Sequence, residues 1–202
     1  MIKNIIFDMG GVLIDYNPEK TLYGMFDKET AEIALKEIFR NKLWAERDRG
    51  TVTSQDIMDA AGDKIPEKDY DAIREMTFNL FPYMKPFPKM YDLIKVLKGK
   101  GYGIYLLSNA SYDFYDNKSG IPVLELFDGY LISSDYKLLK PEKEIYEKLY
   151  SKFNLIPGEC FFVDDMPVNV EGGIRTGMPG HCYSHGDIEI LIKALEEVGV
   201  TL

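Results

Sequence analysis

A chain of 202 residues with 46% hydrophobic and 28% charged content suits an ordinary globular protein, one sizeable domain or a core with a modest insert. A net charge of −9 and a pI near 4.8 offer no basic face, so neither nucleic acid nor an anionic membrane is an expected partner. No apolar run approaches the roughly 20 residues that span a bilayer. The first run is too short for a signal peptide, and Cys160 and Cys182 read as reduced thiols of a cytoplasmic protein.

Ile2–Phe7 is a short, nearly continuous apolar run, as expected of a strand buried on both faces. It ends in Asp8. Gly10-Gly11 permits a tight backbone excursion, and Val12–Asp15 looks like a small flap. From Pro18 to about Tyr83 the pattern is helical, roughly four helices with no strand between them. Asp27 caps a helix over Lys28–Phe39, striped by Ile33, Leu35, Ile38 and Phe39. Gly50 punctuates, Thr53 and Asp56 resemble a capping box, and Pro66 opens a run through Tyr70, Ile73 and Phe78. The proline-rich stretch 81–88 is the return hinge.

Strands and helices then alternate. An amphipathic helix over Lys89–Lys98 stops near Gly99 and Gly101, and the strand Gly103–Leu107 ends in Ser108-Asn109. A strand over Gly129–Ile132 precedes a loop carrying Lys140-Pro141. Pro141 at the first helical position, with Glu142 and Glu144 in the first turn, starts a helix over Glu142–Phe153. The strand Cys160–Val163 ends in Asp164-Asp165. A helix over Val168–Thr176, a strand over His181–Tyr183 and a helix over Ile188–Val198 complete the chain. Such alternation implies an α/β fold, a Rossmann-like parallel sheet with right-handed crossovers. The core comprises residues 1–16 and 87–202, and an all-α subdomain, 17–86, is inserted after the first strand. Asp8, Ser108, Lys140 and Asp164-Asp165 then emerge at one sheet edge, where open α/β sheets bind ligands.

Acidic clusters at neighbouring strand ends repel each other unless a cation lies between them, so a divalent-metal site is expected, with Asp8 a candidate nucleophile. Plainer roles exist for each residue alone: a helix cap for Asp8, a turn for Ser108-Asn109, a solvated loop for Lys140. A zinc site from Cys160, His181, Cys182 and His185 fits no usual ligand spacing.

In order, Phe7-Asp8-Met9-Gly10-Gly11-Val12, Leu107-Ser108-Asn109, Lys140-Pro141-Glu142 and Val163-Asp164-Asp165 resemble the four motifs of the haloacid dehalogenase (HAD) superfamily, over nearly the whole chain. The resemblance implies a HAD-like core with a helical cap, and a Mg²⁺-dependent phosphatase acting on a small phosphorylated metabolite, as a monomer or dimer. In that chemistry Asp8 attacks phosphorus and forms an aspartyl-phosphate. Asp8, the Gly10 carbonyl and Asp165 hold Mg²⁺, with Asp164 as an alternate ligand. Ser108 and Asn109 hydrogen-bond the phosphate, Lys140 neutralises charge on it and on Asp8, and Asn169 orients the acidic pair. Trp44 and Glu46, with Arg47 or Arg49 beside them, are the candidate substrate contacts of the cap.

One position departs from the family. Its phosphatases usually carry a second Asp two residues after the nucleophile, as general acid/base, and this chain has Gly10 there. Such a loss typically costs about 10²–10⁴ in rate. The opening resembles an Asp-x-Gly sub-branch that includes a bacterial α-D-glucose-1-phosphate phosphatase. An anomeric hydroxyl leaves more readily unprotonated than an ordinary alcohol, which favours a sugar phosphate of the 1-phosphate kind. Two other readings stay open: a 2-haloacid dehalogenase, against which the acidic pair speaks, and a catalytically weak binding or regulatory protein.

Overall fold

The computed structural model describes residues 1–183 and 187–202. Its strands are β1 (Asn4–Phe7), β2 (Gly103–Ser108), β3 (Gly129–Ile132), β4 (Cys160–Asp164) and β5 (Gly180–Cys182). All neighbours pair in parallel, in the order β3-β2-β1-β4-β5. β1 is central because its residues are apolar and have no face left for water; Ile5, Ile6 and Phe7 are fully buried.

Helices α1 (Pro18–Met25), α2 (Lys28–Ala34), α3 (Lys42–Arg49), α4 (Ser54–Ala61) and α5 (Tyr70–Phe78) fall between β1 and α6 (Pro88–Gly99). Then come α7 (Asp113–Asn117), α8 (Ser133–Tyr136), α9 (Lys143–Phe153), α10 (Pro167–Arg175) and α11 (Ile188–Glu197). Alternating strand residues feed opposite faces of the sheet. Ile5, Phe7, Leu106 and Val163 pack with Leu93 and Leu97 of α6 and Leu191 and Leu195 of α11. Ile6, Leu107, Leu131 and Phe162 pack with Ile145, Tyr146 and Leu149 of α9.

Helices α1–α5 have an apolar cluster of their own, which includes Leu22, Ile38, Trp44, Ile57, Ile73 and Met76. The two chain segments that join them to the sheet pair with each other: Asp15 N–H donates to Lys85 O (2.8 Å) and Phe87 N–H to Leu13 O (2.9 Å). At its far end α3 is docked on the sheet layer. Gly50 ends it in the left-handed conformation (φ 78°), and a Cβ there would lie 2.8 Å from Ser134 O, so only glycine permits that approach. Arg49 reaches Glu142 (2.5 Å) across the same junction.

Three local expectations change. The helix expected over Lys28–Phe39 is α-helical only to Ala34 and continues as a π-helical turn, Leu35–Phe39. Five helices, rather than four, occupy 18–78. Pro141 does not open α9: the turn 139–142 is closed by Glu142 N–H to Leu139 O (2.8 Å), and Glu142 becomes the residue before the helix. Among the described residues no helix is long and apolar enough to cross a membrane.

Candidate active site

The register sets Phe7 opposite Leu106 on one side and Val163 on the other, so the following residues, Asp8, Leu107-Ser108 and Asp164, end together at one edge of the sheet. Lys140 reaches the same point from the loop before α9. Its Nζ lies 2.7 Å from Asp8 Oδ1 and 2.6 Å from Asp164 Oδ2, and it donates to Leu107 O at 2.9 Å. A lysine so deeply buried needs these partners. Burial pushes its pKa down, but Asp164 and Asp8 more than offset this and hold the ammonium above its usual range. Charge is not balanced, however. Carboxylate oxygens of Asp8, Asp164 and Asp165 lie within 4.8 Å of one another, three acids against one lysine. Burial, opposed by Lys140 and supported by Asp164 and Asp165, raises the Asp8 carboxyl to about 7.

The three acids are not equivalent. Asp164 is fully buried and its oxygens are taken: Oδ1 accepts from Met166 N–H (2.8 Å) and Asn169 Nδ2 (3.0 Å), and Oδ2 from Lys140 and Asn169 (3.2 Å). These contacts commit it to fixing Lys140. Asp8 Oδ1 is buried and accepts no well-aligned hydrogen bond. Asp165 lies over the first loop, close enough that a Cβ on Gly11 (φ 70°) would be 2.5 Å from its Oδ2. An all-oxygen set of three neighbouring carboxylates with surplus negative charge fits a hard divalent cation such as Mg²⁺.

Asp8, Lys140 and Asp165 form the floor of a cavity of about 250 Å³, lined also by Ser108, Asn109, Ala110, Ser111, Met9, Gly10 and Asn169. Ser108 is buried beside Asp8. The Asn109 side chain faces Lys140: Oδ1 accepts from Lys140 N–H (2.9 Å) and Nδ2 donates to Lys140 O (3.1 Å). Its amide group therefore holds the lysine loop. Trp44, Arg47, Asp48, Leu80, Phe81, Met84, Ile14 and Tyr16 make a further, largely apolar wall of the same cavity.

Trp44 stands in that wall, between Phe39 (ring centroids 4.6 Å apart) and the Arg47 guanidinium (4.7 Å). Glu46, the other expected substrate contact, does not line this cavity. Its carboxylate accepts from Thr51 Oγ1 (2.6 Å) and pairs with Arg49 Nε (3.5 Å) on the outer side of α3. A helix turns about 100° per residue, so position 46 faces away from position 44, while 47 and 48 share its face. Arg49 is spent on Glu142 and Lys137 O. Arg47 pairs with Asp113 and donates to Ser54 Oγ (2.7 Å).

Asp48 was passed over in the sequence, where only the helical face could have singled it out. Its carboxyl accepts no hydrogen bond from any described residue, and Arg47 Nη1 stands 3.8 Å from Oδ1. Burial, eased by Arg47 and reinforced by Asp113 and Asp8, raises it to about 7. Cys160 and Cys182 are free thiols. His185, a member of the improbable zinc set, lies outside the described residues.

The family model of haloacid dehalogenase-like hydrolases matches residues 2–177. A sesquiterpene phosphatase of Aspergillus oryzae is 30% identical over 181 residues, 88% of each chain. A D-ribitol-5-phosphate phosphatase of Bacteroides thetaiotaomicron is 27% identical over 192 residues, 88% of this chain and 89% of its own. A HAD family enzyme of that bacterium, solved in complex with magnesium and inorganic phosphate, superposes with a TM-score of 0.65 at 22% identity, covering 93% of this chain and 96% of its own. The sheet order, the acidic edge and these matches agree: the chain belongs to the haloacid dehalogenase-like hydrolases and is a hydrolase of phosphate esters.

Proposed function

We propose that the chain is a Mg²⁺-dependent phosphomonoesterase for a small phosphorylated metabolite, working through an aspartyl-phosphate on Asp8. The observation that carries this reading is the convergence of Asp8, Asp165 and the doubly paired Lys140 on one cavity floor. Asp8, the Gly10 carbonyl and Asp165 would hold the ion. When bound, Mg²⁺ supplies charge compensation for the phosphoryl oxygens. Asp8 attacks phosphorus, and the ester oxygen leaves on the opposite side. Lys140, fixed by Asp164 and Leu107 O, neutralises charge on Asp8 and on the transferring group. Ser108 and the backbone amide of Asn109 hydrogen-bond the phosphate, and Asn169 keeps Asp164 aimed at Lys140. Water then cleaves the aspartyl-phosphate.

In this reading residues 17–86 form a cap over a core made of 1–16 and 87–202, and Trp44 with its neighbours receives the leaving group. The Asp-x-Gly opening supports a sugar phosphate, including a sugar 1-phosphate, whose anomeric oxygen leaves more readily without a proton than an ordinary alcohol. A second substrate class is favoured by the wall itself. Tyr16, Trp44, Leu80, Phe81 and Met84 are mostly apolar, which suits the ester of a compact apolar alcohol.

Turnover of p-nitrophenyl phosphate with and without Mg²⁺, in the wild type and in Asp8→Asn, tests the reading. Expected is metal-dependent release of phosphate that the substitution abolishes. Undiminished turnover by Asp8→Asn would refute the nucleophile. A panel of sugar 1-phosphates, sugar 6-phosphates and apolar alkyl phosphates then ranks the substrate classes.

A further inference from the structure

We propose that Asp48, presented by α3, is the general acid/base of this site, giving the departing alcohol the proton that no side chain at position 10 can give. The inference rests on the phosphatase reading of Asp8 and extends it.

The space beside the nucleophile where an acid at position 10 would project is filled. A Cβ on Gly10 would lie 3.2 Å from Tyr16 Cβ and 3.5 Å from its Cγ, so even the first carbon of a side chain there would press on the tyrosine, which would have to give way slightly. Asp48 lines the same cavity as Tyr16, Gly10 and Asp8, and it is presented by α3 rather than by the sheet edge where Asp8 and Lys140 meet. In-line attack by Asp8 sends the departing oxygen away from the nucleophile, so its proton has to come from a group outside the edge that carries Asp8.

Its position is fixed by contacts that leave the carboxyl alone. Ser133 Oγ donates to the Asp48 carbonyl (2.5 Å), Arg47 is bound to Ser54 and Asp113, and Gly50 rests on Ser134. The groups that face the carboxyl are Arg47 on its own helix, Asp113 of α7, Asp8 at the end of β1 and Tyr16. Two of them are anionic, one is cationic but 3.8 Å away and already paired, and none hydrogen-bonds it. Such surroundings favour the protonated form, and burial brings this group near neutrality, where one side chain serves as acid and then as base.

The steps balance. As the Asp8 carboxylate forms its bond to phosphorus, the bond from phosphorus to the ester oxygen breaks. The electron pair stays on that oxygen, which takes the Asp48 proton and departs as the alcohol. Asp48, now a carboxylate, accepts a proton from the water that attacks the aspartyl-phosphate. Inorganic phosphate leaves, Asp8 is restored as a carboxylate, and Asp48 as an acid. Esters of ordinary alcohols thus come within reach, without the good leaving group that Gly10 alone would demand.

Kinetics across leaving groups test this. Asp48→Asn keeps size and removes the proton; Asp48→Glu keeps the proton on a longer arm. For Asp48→Asn, kcat/KM on an alkyl phosphate is expected to fall about 10²–10⁴-fold, and on p-nitrophenyl phosphate less than about tenfold, because nitrophenolate leaves unprotonated. Asp48→Glu should keep more of the alkyl phosphate activity than Asp48→Asn. An equal loss on both substrates, no loss on either, or equal damage by both substitutions would overturn the proposal. Active Asp8→Asn enzyme would instead refute the phosphatase reading beneath it, so the two failures are distinguishable.

Discussion

Replacing Asp48 by asparagine has a thermodynamic consequence that needs no substrate. The folded protein holds this carboxyl at about 7 against 3.8 for the free group, burial being the main cause. Between those values the folded chain keeps a proton that the unfolded chain has lost. Stability therefore falls as pH rises through that window and levels off above it, while it is unaffected below about pH 4. At about 1.4 kcal/mol per unit the full shift corresponds to a ceiling of about 4 kcal/mol. The side chain is 19% exposed to the cavity and has Arg47 nearby, so about 1–3 kcal/mol is the expected cost of its charge. The amide does not titrate. For a chain of this size about 1 kcal/mol moves Tm by roughly 2–4 °C. Calorimetry without Mg²⁺ or phosphate should therefore find Asp48→Asn about 2–12 °C more stable than wild type near pH 8, with the two curves merging near pH 4. Asp8 titrates in both proteins and largely cancels in the difference. A gap independent of pH, or a variant less stable than wild type at pH 8, would refute the picture of an ionisable group held protonated by its surroundings.

Asp165→Asn relieves repulsion among carboxylates that lie within 4.8 Å, so the metal-free variant should melt above wild type and gain nothing from added Mg²⁺, as read by thermal shift against metal concentration. Gly11→Ala forces a side chain to φ 70°, 2.5 Å from Asp165 Oδ2; a stability loss of about 1–3 kcal/mol in denaturant titration and weaker Mg²⁺ binding in calorimetry should appear together. Trp44→Ala removes a ring packed on Phe39 and Arg47. It should cost about 3–5 kcal/mol and raise KM, and a denaturation midpoint that barely moves would count against its place in the wall.

The sheet edge was legible because buried parallel strands leave no choice of face. An apolar run such as Ile5–Phe7 or Phe161–Val163 enters the core whole, and the first polar residue after it must sit at the rim. Asp8, Ser108 and Asp164 are read from composition for that reason. Lys140 was legible only through its order among the motifs, since a lysine before proline is locally indistinguishable from a solvated one. What sequence could not give was partition of labour among neighbours. Asp164 and Asp165 are adjacent and chemically identical, yet one is locked onto Lys140 and Asn169, a distinction set by α10 and the 140 loop. Asn109 likewise turns its amide onto Lys140. On α3 the choice between Glu46 and Asp48 is a question of 200° of helix rotation, and reading Trp44-Ala45-Glu46-Arg47 as a cluster ignores it. The π-helical turn at Leu35–Phe39 has no sequence signal that the apolar stripe does not mask.

The division of roles follows from where charge can be placed. The sheet edge already concentrates three acids round one lysine, and its excess is negative. A fourth carboxyl there, at position 10, would share that field at closest range and would compete with Tyr16 for room. Set on α3, an acid takes its raised pKa chiefly from burial, with Asp113 and Asp8 adding to it, and comes near the value useful at neutral pH. Its place in the cavity then depends on the contacts that dock α3: Arg49 with Glu142, Arg47 with Asp113, and Gly50 on Ser134. None of these touches the cavity floor, so the helical layer can alter which alcohol is released while the phosphoryl-handling edge stays unchanged.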